Sequence, residues 1–173
     1  MKDIVAQRVG VFVDTQNIYY SARALYQALV NFDALLKQAV RGRVLIRALA
    51  YVVRTEDLKK EEFFKALENM GYEIQSKDLQ VFADGSKKGD WDVGIAMDMI
   101  EQAQKLDTMI LVSGDGDFVP LVQHLQRGTG CRVEVMAFGP SCNAQLKEVC
   151  HQFVDLDKES SKFLMKKNGR KRK

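Results

Sequence analysis

At 173 residues, with 46% apolar and 28% charged residues, two prolines and twelve glycines, the chain has the balance of one globular domain, which excludes collagen-like and low-complexity chains. Charges interrupt every apolar run well short of the roughly 20 residues that span a bilayer, and residues 1–8 lack the apolar core of a secretory signal, so a cytoplasmic protein without a membrane partner is expected. The formal charge of +3 is uneven: residues 158–173 carry eight basic side chains and one acid, a segment at +7 beside a body at −4, which fits either a polyanionic partner or a solubilising tail.

Residues 8–13 (RVGVFV) form a short β-branched run that predicts a buried strand ending at Asp14. Helices follow over 16–29 and 32–40, the second with Asn31 as its N-cap. A second strand is predicted over 43–53. The segment 58–70 is an amphipathic helix carrying Phe63, Phe64, Leu67 and Met70 on one face, with Gly71 at the C-cap. A third strand starts near Tyr72 and extends toward 80–83. Residues 84–90 (DGSKKGD) read as a loop.

Residues 92–103 predict a helix whose core face is Val93, Ala96, Met97 and Ile100. On that wheel, at ~100° per residue, Asp98 lies ~160° from the apolar face and points away from the core. The run 108–112 (TMILV) is the purest strand signal and leads into Ser113-Gly114-Asp115-Gly116-Asp117. Another helix over 117–126, a strand over 133–138, a short helix over 143–150 and an edge strand over 153–156 complete the body. Residues 1–157 are therefore expected to form the domain, and 158–173 a disordered basic tail.

Strands alternating with helices require parallel pairing and crossovers, so the expected fold is α/β with three layers and helices on both faces of the sheet. Ligands in such folds sit beyond the carboxyl ends of the strands at a topological switch point. Asp14, Asp115 and Asp117 lie at such ends, and Asp92 opens the helix after the loop. Singly, Asp92 and Asp117 read equally well as helix-capping acids and Asp115 as a turn residue. Together, four converging carboxylates repel unless a cation neutralises them, and a site rich in carboxylates and poor in histidine suits hard ions such as Mg²⁺ or Mn²⁺. That equipment hydrolyses phosphodiesters.

Other chemistries fit less well. Cys131, Cys142 and Cys150, with His124 and His151, contain no C-x-x-C pair and do not make a zinc site. Neither a G-x-G-x-x-G nor a P-loop occurs, and Pro120 stands where a calcium loop beginning at Asp115 needs glycine. A Toprim-like site wants glutamate where Asp14 stands.

Residues 11–20 (VFVDTQNIYY), 88–98 (KGDWDVGIAMD) and 111–118 (LVSGDGDF) together resemble the NYN domain family of the PIN-like nuclease superfamily, in its LabA/DUF88-type branch. The resemblance spans about 8–156. It implies a parallel sheet of about five strands in the order 3-2-1-4-5, with a divalent-ion pocket at its carboxyl edge. Asp14, Asp92, Asp115 and Asp117 match the family's catalytic and metal-binding acids. Asn17, Ser113 and Asp98 are supporting polar residues, with Asp98 demoted by its place on the wheel. Lys87 and Lys88 are candidates for holding a phosphate backbone, and Trp91, Tyr19 and Tyr20 for stacking on unpaired bases. The function expected is a magnesium- or manganese-dependent ribonuclease acting on single-stranded or structured RNA. The alternative is a non-catalytic regulatory module of the same fold that binds RNA or a protein partner, and a homodimer is open in either case.

Overall fold

The computed structural model describes residues 6–56 and 60–165. The first half builds β1 (Arg8–Asp14), α1 (Thr15–Tyr26), α2 (Phe32–Val40), β2 (Val44–Arg54), α3 (Glu61–Met70) and β3 (Glu73–Asp78). A small hairpin of β4 (Gln80–Val81) and β5 (Lys87–Lys88) then leads to α4 (Asp92–Gln102). The second half contains β6 (Thr108–Val112), α5 (Val119–Gly128), β7 (Arg132–Ala137), α6 (Ala144–Val149), β8 (Gln152–Asp155) and α7 (Ser160–Phe163).

The main sheet has six strands in the order β3-β2-β1-β6-β7-β8, all parallel. This is the expected three-layer arrangement with one strand more than about five, the sixth being β8. From β1 the chain winds outward to β2 and β3, then returns to lay β6 on the other side of β1. The helices divide between the two faces, with α1–α3 packed on one and α4–α6 on the other. One core packs Val9, Val11 and Val13 of β1 against Ile18, Leu35 and Leu67, and the other packs Phe12 and Leu49 against Ile95, Met99 and Val122. The switch point is therefore the seam between β1 and β6, with Val13 beside Val112 at its upper end. Among the described residues no helix is long and apolar enough to cross a membrane.

Local signals worked where backbone chemistry decides. The Asn31 side chain accepts the Ala34 N–H at 3.0 Å and caps α2, and Gly71, at φ 104°, ends α3 in the left-handed region. The beginning of the helix expected over 58–70 falls partly outside the described residues. Helix α1 stops at Tyr26 rather than 29, because Gln27 turns left-handed at φ 50°.

Three expectations are corrected. Residues 84–90 are not simply a loop: Lys87–Lys88 pair antiparallel with Gln80–Val81, so 80–83 belong to this hairpin and not to the third strand. The turn is shaped by Gly85 at φ 82° and by Asp84, which accepts the Ser86 N–H at 2.9 Å.

The predicted core face of α4 points outward. Val93 is 71% exposed, Met97 65% and Ile100 45%, whereas Ile95, Met99 and Gln102 are buried. Both faces of this helix are apolar, so periodicity alone does not choose between them. Tertiary bonds do. The Trp91 indole N–H donates to the Val52 carbonyl at 3.0 Å, and the Tyr51 hydroxyl donates to Asp98 at 2.7 Å, turning Ile95 and Met99 onto the sheet.

The ordered body also runs past 157. Phe163 of α7 is buried and Leu164 bridges Val30, so the first residues of the expected tail complete one core. Residues 166–173 lie outside the described residues.

Candidate active site

Strand β1 delivers Asp14 to the seam, where its half-buried carboxylate accepts the Asn17 N–H at 3.3 Å and caps α1. Its second oxygen accepts the Ser113 hydroxyl at 3.1 Å from the end of β6. The same hydroxyl accepts the Asp115 N–H at 3.2 Å, and the Asn17 side-chain oxygen accepts the Gly114 N–H at 2.9 Å. Ser113 and Asn17 thus lace the two strand ends together.

The glycines of Ser113-Gly114-Asp115-Gly116-Asp117 are required by close approach. A Cβ on Gly114 would lie 2.9 Å from the Ser141 carbonyl oxygen, and one on Gly116 2.5 Å from the Asn143 side-chain nitrogen. Pressed against the segment after β7, the loop bends so that Asp115 accepts the Asp117 N–H at 2.9 Å.

Helix α4 brings the third contributor. One carboxylate oxygen from each of Asp92, Asp115 and Asp117 lies within 4.8 Å of the others. Asp92, Asp115 and Asp117 are close enough that they would hold one divalent ion directly or through water. The donor set is all oxygen, as hard ions require. Asp14 lines a cleft of about 490 Å³ with Asp92 and Asp115 of this trio, together with Asn17, Tyr20, Asp90 and Ser141.

Burial and mutual repulsion shape the electrostatics of this cluster. Burial pushes the Asp14 carboxyl up to about 6, with the Asp92 and Asp115 charges adding to it against the hydrogen bonds from Asn17 and Ser113. Burial likewise lifts Asp92 to about 6, followed by repulsion from Asp115, Asp90 and Asp117, and only Lys77 opposes. Two neighbouring acids thus hold their protons well above the ordinary aspartate range.

The remaining candidates separate. Asp98 is not solvated: it is half-buried on the Tyr51 hydroxyl. Trp91 is committed to the fold, with its N–H on Val52, its ring tilted against Tyr51 and Lys77 Nζ 4.7 Å from its centroid. It sets the start of α4, and hence Asp92, rather than offering an open stacking face. Tyr19 lines a different hollow on the other flank of α1, and Tyr20 faces the cleft. The cause is the helical period, which groups Asn17, Tyr20 and Ala24 on one side. Lys87 and Lys88 are exposed on the hairpin, and Lys88 alone of the two borders a hollow adjoining the cleft.

Sequence reasoning missed Asp90 and Lys77. Asp90 carried a signal, since it stands two residues before Asp92 in the Gly-Asp-Trp-Asp run. Lys77 carried none, because only pairing with β2 places the end of β3 beside α4.

The model of the NYN domain matches residues 8–157. The chain is 25% identical over 157 residues to the Low amplitude and bright protein LabA of Synechococcus elongatus, covering 87% of this chain and 84% of that one. It is also similar to the crystal structure of VPA0982, a protein of unknown function from Vibrio parahaemolyticus, at a TM-score of 0.85 and 34% identity, over 95% of this chain and 100% of that one. The aspartate-lined seam and the matched span lead to one assignment: the chain belongs to the NYN domain family, within the PIN-like fold.

Proposed function

We propose that this protein is a metal-dependent ribonuclease that hydrolyses RNA phosphodiesters at the β1–β6 seam. The observation that carries this reading is the convergence of Asp92, Asp115 and Asp117 within 4.8 Å, beside an Asp14 lifted by burial to about 6. Asp92, Asp115 and Asp117 would hold magnesium or manganese, with Asp14 contributing from behind. A bound ion supplies Lewis acidity and offsets the phosphate charge. The chain's part is positional: Ser113 and Asn17 keep the β6 loop aligned with Asp14, and the Trp91 anchor keeps Asp92 at the mouth. The open cleft suits an extended single strand. Three unpaired cysteines fit a reducing compartment such as the cytoplasm.

The second reading is a non-catalytic module that binds RNA or a protein partner. One observation favours it: the outward apolar stripe of Val93, Met97 and Ile100 on the helix that carries Asp92. Incubating labelled single-stranded RNA with manganese, using wild type and Asp115→Asn, separates the two. The nuclease reading expects cleavage by wild type and at least a hundredfold loss in the variant. Equal cleavage by both marks a contaminant and overturns it, and no cleavage by either leaves the binding module.

A further inference from the structure

The acidic cleft continues past Asp90. That residue also borders a second hollow, of about 380 Å³, between the end of β3 and the β4–β5 hairpin, whose walls include Lys77, Asp78, Gln80, Lys88 and Gly89. Basic residues enter the lining beyond the shared residue. The charged residues walling the cleft are all acids, Asp14, Asp90, Asp92 and Asp115, whereas the hollow sets Lys77 and Lys88 beside Asp78 and Asp90.

Both lysines are carried on fixed supports. Lys77 Nζ sits over the Trp91 ring, whose negative face attracts cations, and Trp91 is itself tied to Val52. Lys88 pairs with Gln80 at the base of the hairpin, and the following Gly89 packs so tightly that a Cβ there would come within 2.8 Å of the Val53 and Leu79 side chains. The neighbouring Asp78 is engaged by Arg54 at 3.4 Å, while neither Lys77 nor Lys88 forms an ion pair among the described residues. Two lysines on fixed supports, without an ion pair of their own, beside a cluster of carboxylates offer a place for an anion that reaches from one to the other.

The geometry points to a phosphate subsite in this hollow: Lys77, with Lys88, holds the phosphodiester adjoining the one that lies at the aspartates. A single strand of RNA fits this placement, because its neighbouring phosphates set one charge on the cation-assisted acids and the next on the lysines, while Asp78 is engaged by Arg54. The inference rests on the nuclease reading for the position of the first phosphate, and extends it to the direction the strand takes: over Asp90 toward the β4–β5 hairpin. Lys77 is the anchor and acts by binding, not by chemistry.

The test is a salt titration of ten-nucleotide oligouridylate binding, read by fluorescence anisotropy on the full chain with calcium in place of magnesium. Each phosphate contact on a single strand contributes about 0.7 to the slope of log affinity against log salt. Lys77→Gln should weaken binding about tenfold and lower the slope by about 0.7, and the double variant with Lys88→Gln should lower it by about 1.4. Lys77→Arg should keep the wild-type slope, which tells lost charge from disturbed Trp91 packing. An unchanged slope in Lys77→Gln, or an equal loss in Lys77→Arg, overturns the subsite. Manganese-dependent cleavage is measured separately: cleavage with unchanged slopes sinks the subsite alone, and altered slopes without cleavage sustain the subsite while the nuclease reading fails.

Discussion

The Ser113 hydroxyl donates to Asp14 at 3.1 Å across the seam between the first and fourth strands of the winding, and accepts the Asp115 N–H at 3.2 Å. One buried hydroxyl thereby joins an acid from the beginning of the chain to an acid a hundred residues later. It also favours the charged form of a carboxylate that burial disfavours.

That conflict gives the ion-free protein a pH signature. Burial holds the Asp14 carboxyl at about 6 in the fold, whereas an unfolded aspartate titrates near ~3.9. Between these values the native state keeps a proton that the unfolded chain has released. Stability therefore falls as pH rises through this window and levels off above it. For Asp14 the loss is on the order of 2–3 kcal/mol. Asp14→Asn should remove that component. Urea unfolding in chelator at several pH values from 4 to 8 checks it, and parallel curves for the two proteins would contradict the assigned burial.

Replacing Asp115 tests the cation directly. Asp115→Asn retains the oxygen that accepts the Asp117 N–H and removes one charge that raises both Asp14 and Asp92. In chelator the variant should melt at or above wild type. With manganese at a hundred times its dissociation constant, wild type should gain about 2.7 kcal/mol and the variant much less. Equal responses in thermal scans would remove the metal site.

The orientation of α4 makes a sharp prediction about stability. Met97 is exposed and Met99 fully buried on the same helix. Met97→Gln should change stability by less than about 0.5 kcal/mol, and Met99→Ala should cost about 2–5 kcal/mol. Comparable losses from both, in denaturant titrations, would return the helix to the face that periodicity suggested.

The Tyr51–Asp98 bond should show the asymmetry of breaking a buried pair. Tyr51→Phe leaves a half-buried carboxylate without its donor and should cost about 1–3 kcal/mol. Asp98→Asn keeps an acceptor for the hydroxyl, so its loss should be smaller. The reverse order would mean that the bond does not hold α4. A loss of manganese affinity in Tyr51→Phe, read by the thermal gain on adding the ion, would show that α4 placement reaches Asp92.

Much of this protein follows from local chemistry that any single chain displays. The apolar runs 8–13 and 108–112 are strands in any context that buries them, Asn31 and Gly71 mark helix ends through backbone bonds and angles, and alternation forces parallel pairing. Because a winding sheet gathers its strand ends at one switch point, the sequence alone places Asp14 and the Asp115–Asp117 run at neighbouring strand ends. Tertiary structure decided what local patterns leave degenerate. Helix α4 has two apolar faces, and only the bonds of Trp91 to Val52 and of Tyr51 to Asp98 select the buried one. Tyr19 and Tyr20 are adjacent in sequence, and only the seating of α1 sends one of them to the cleft. Lys77 stands next to the end of β3 with no motif around it, and only β2–β3 pairing carries it to Trp91 and Asp92. Periodicity encodes that a face is apolar. Which surface it meets depends on contacts between residues dozens of positions apart, and those exist only in the folded chain.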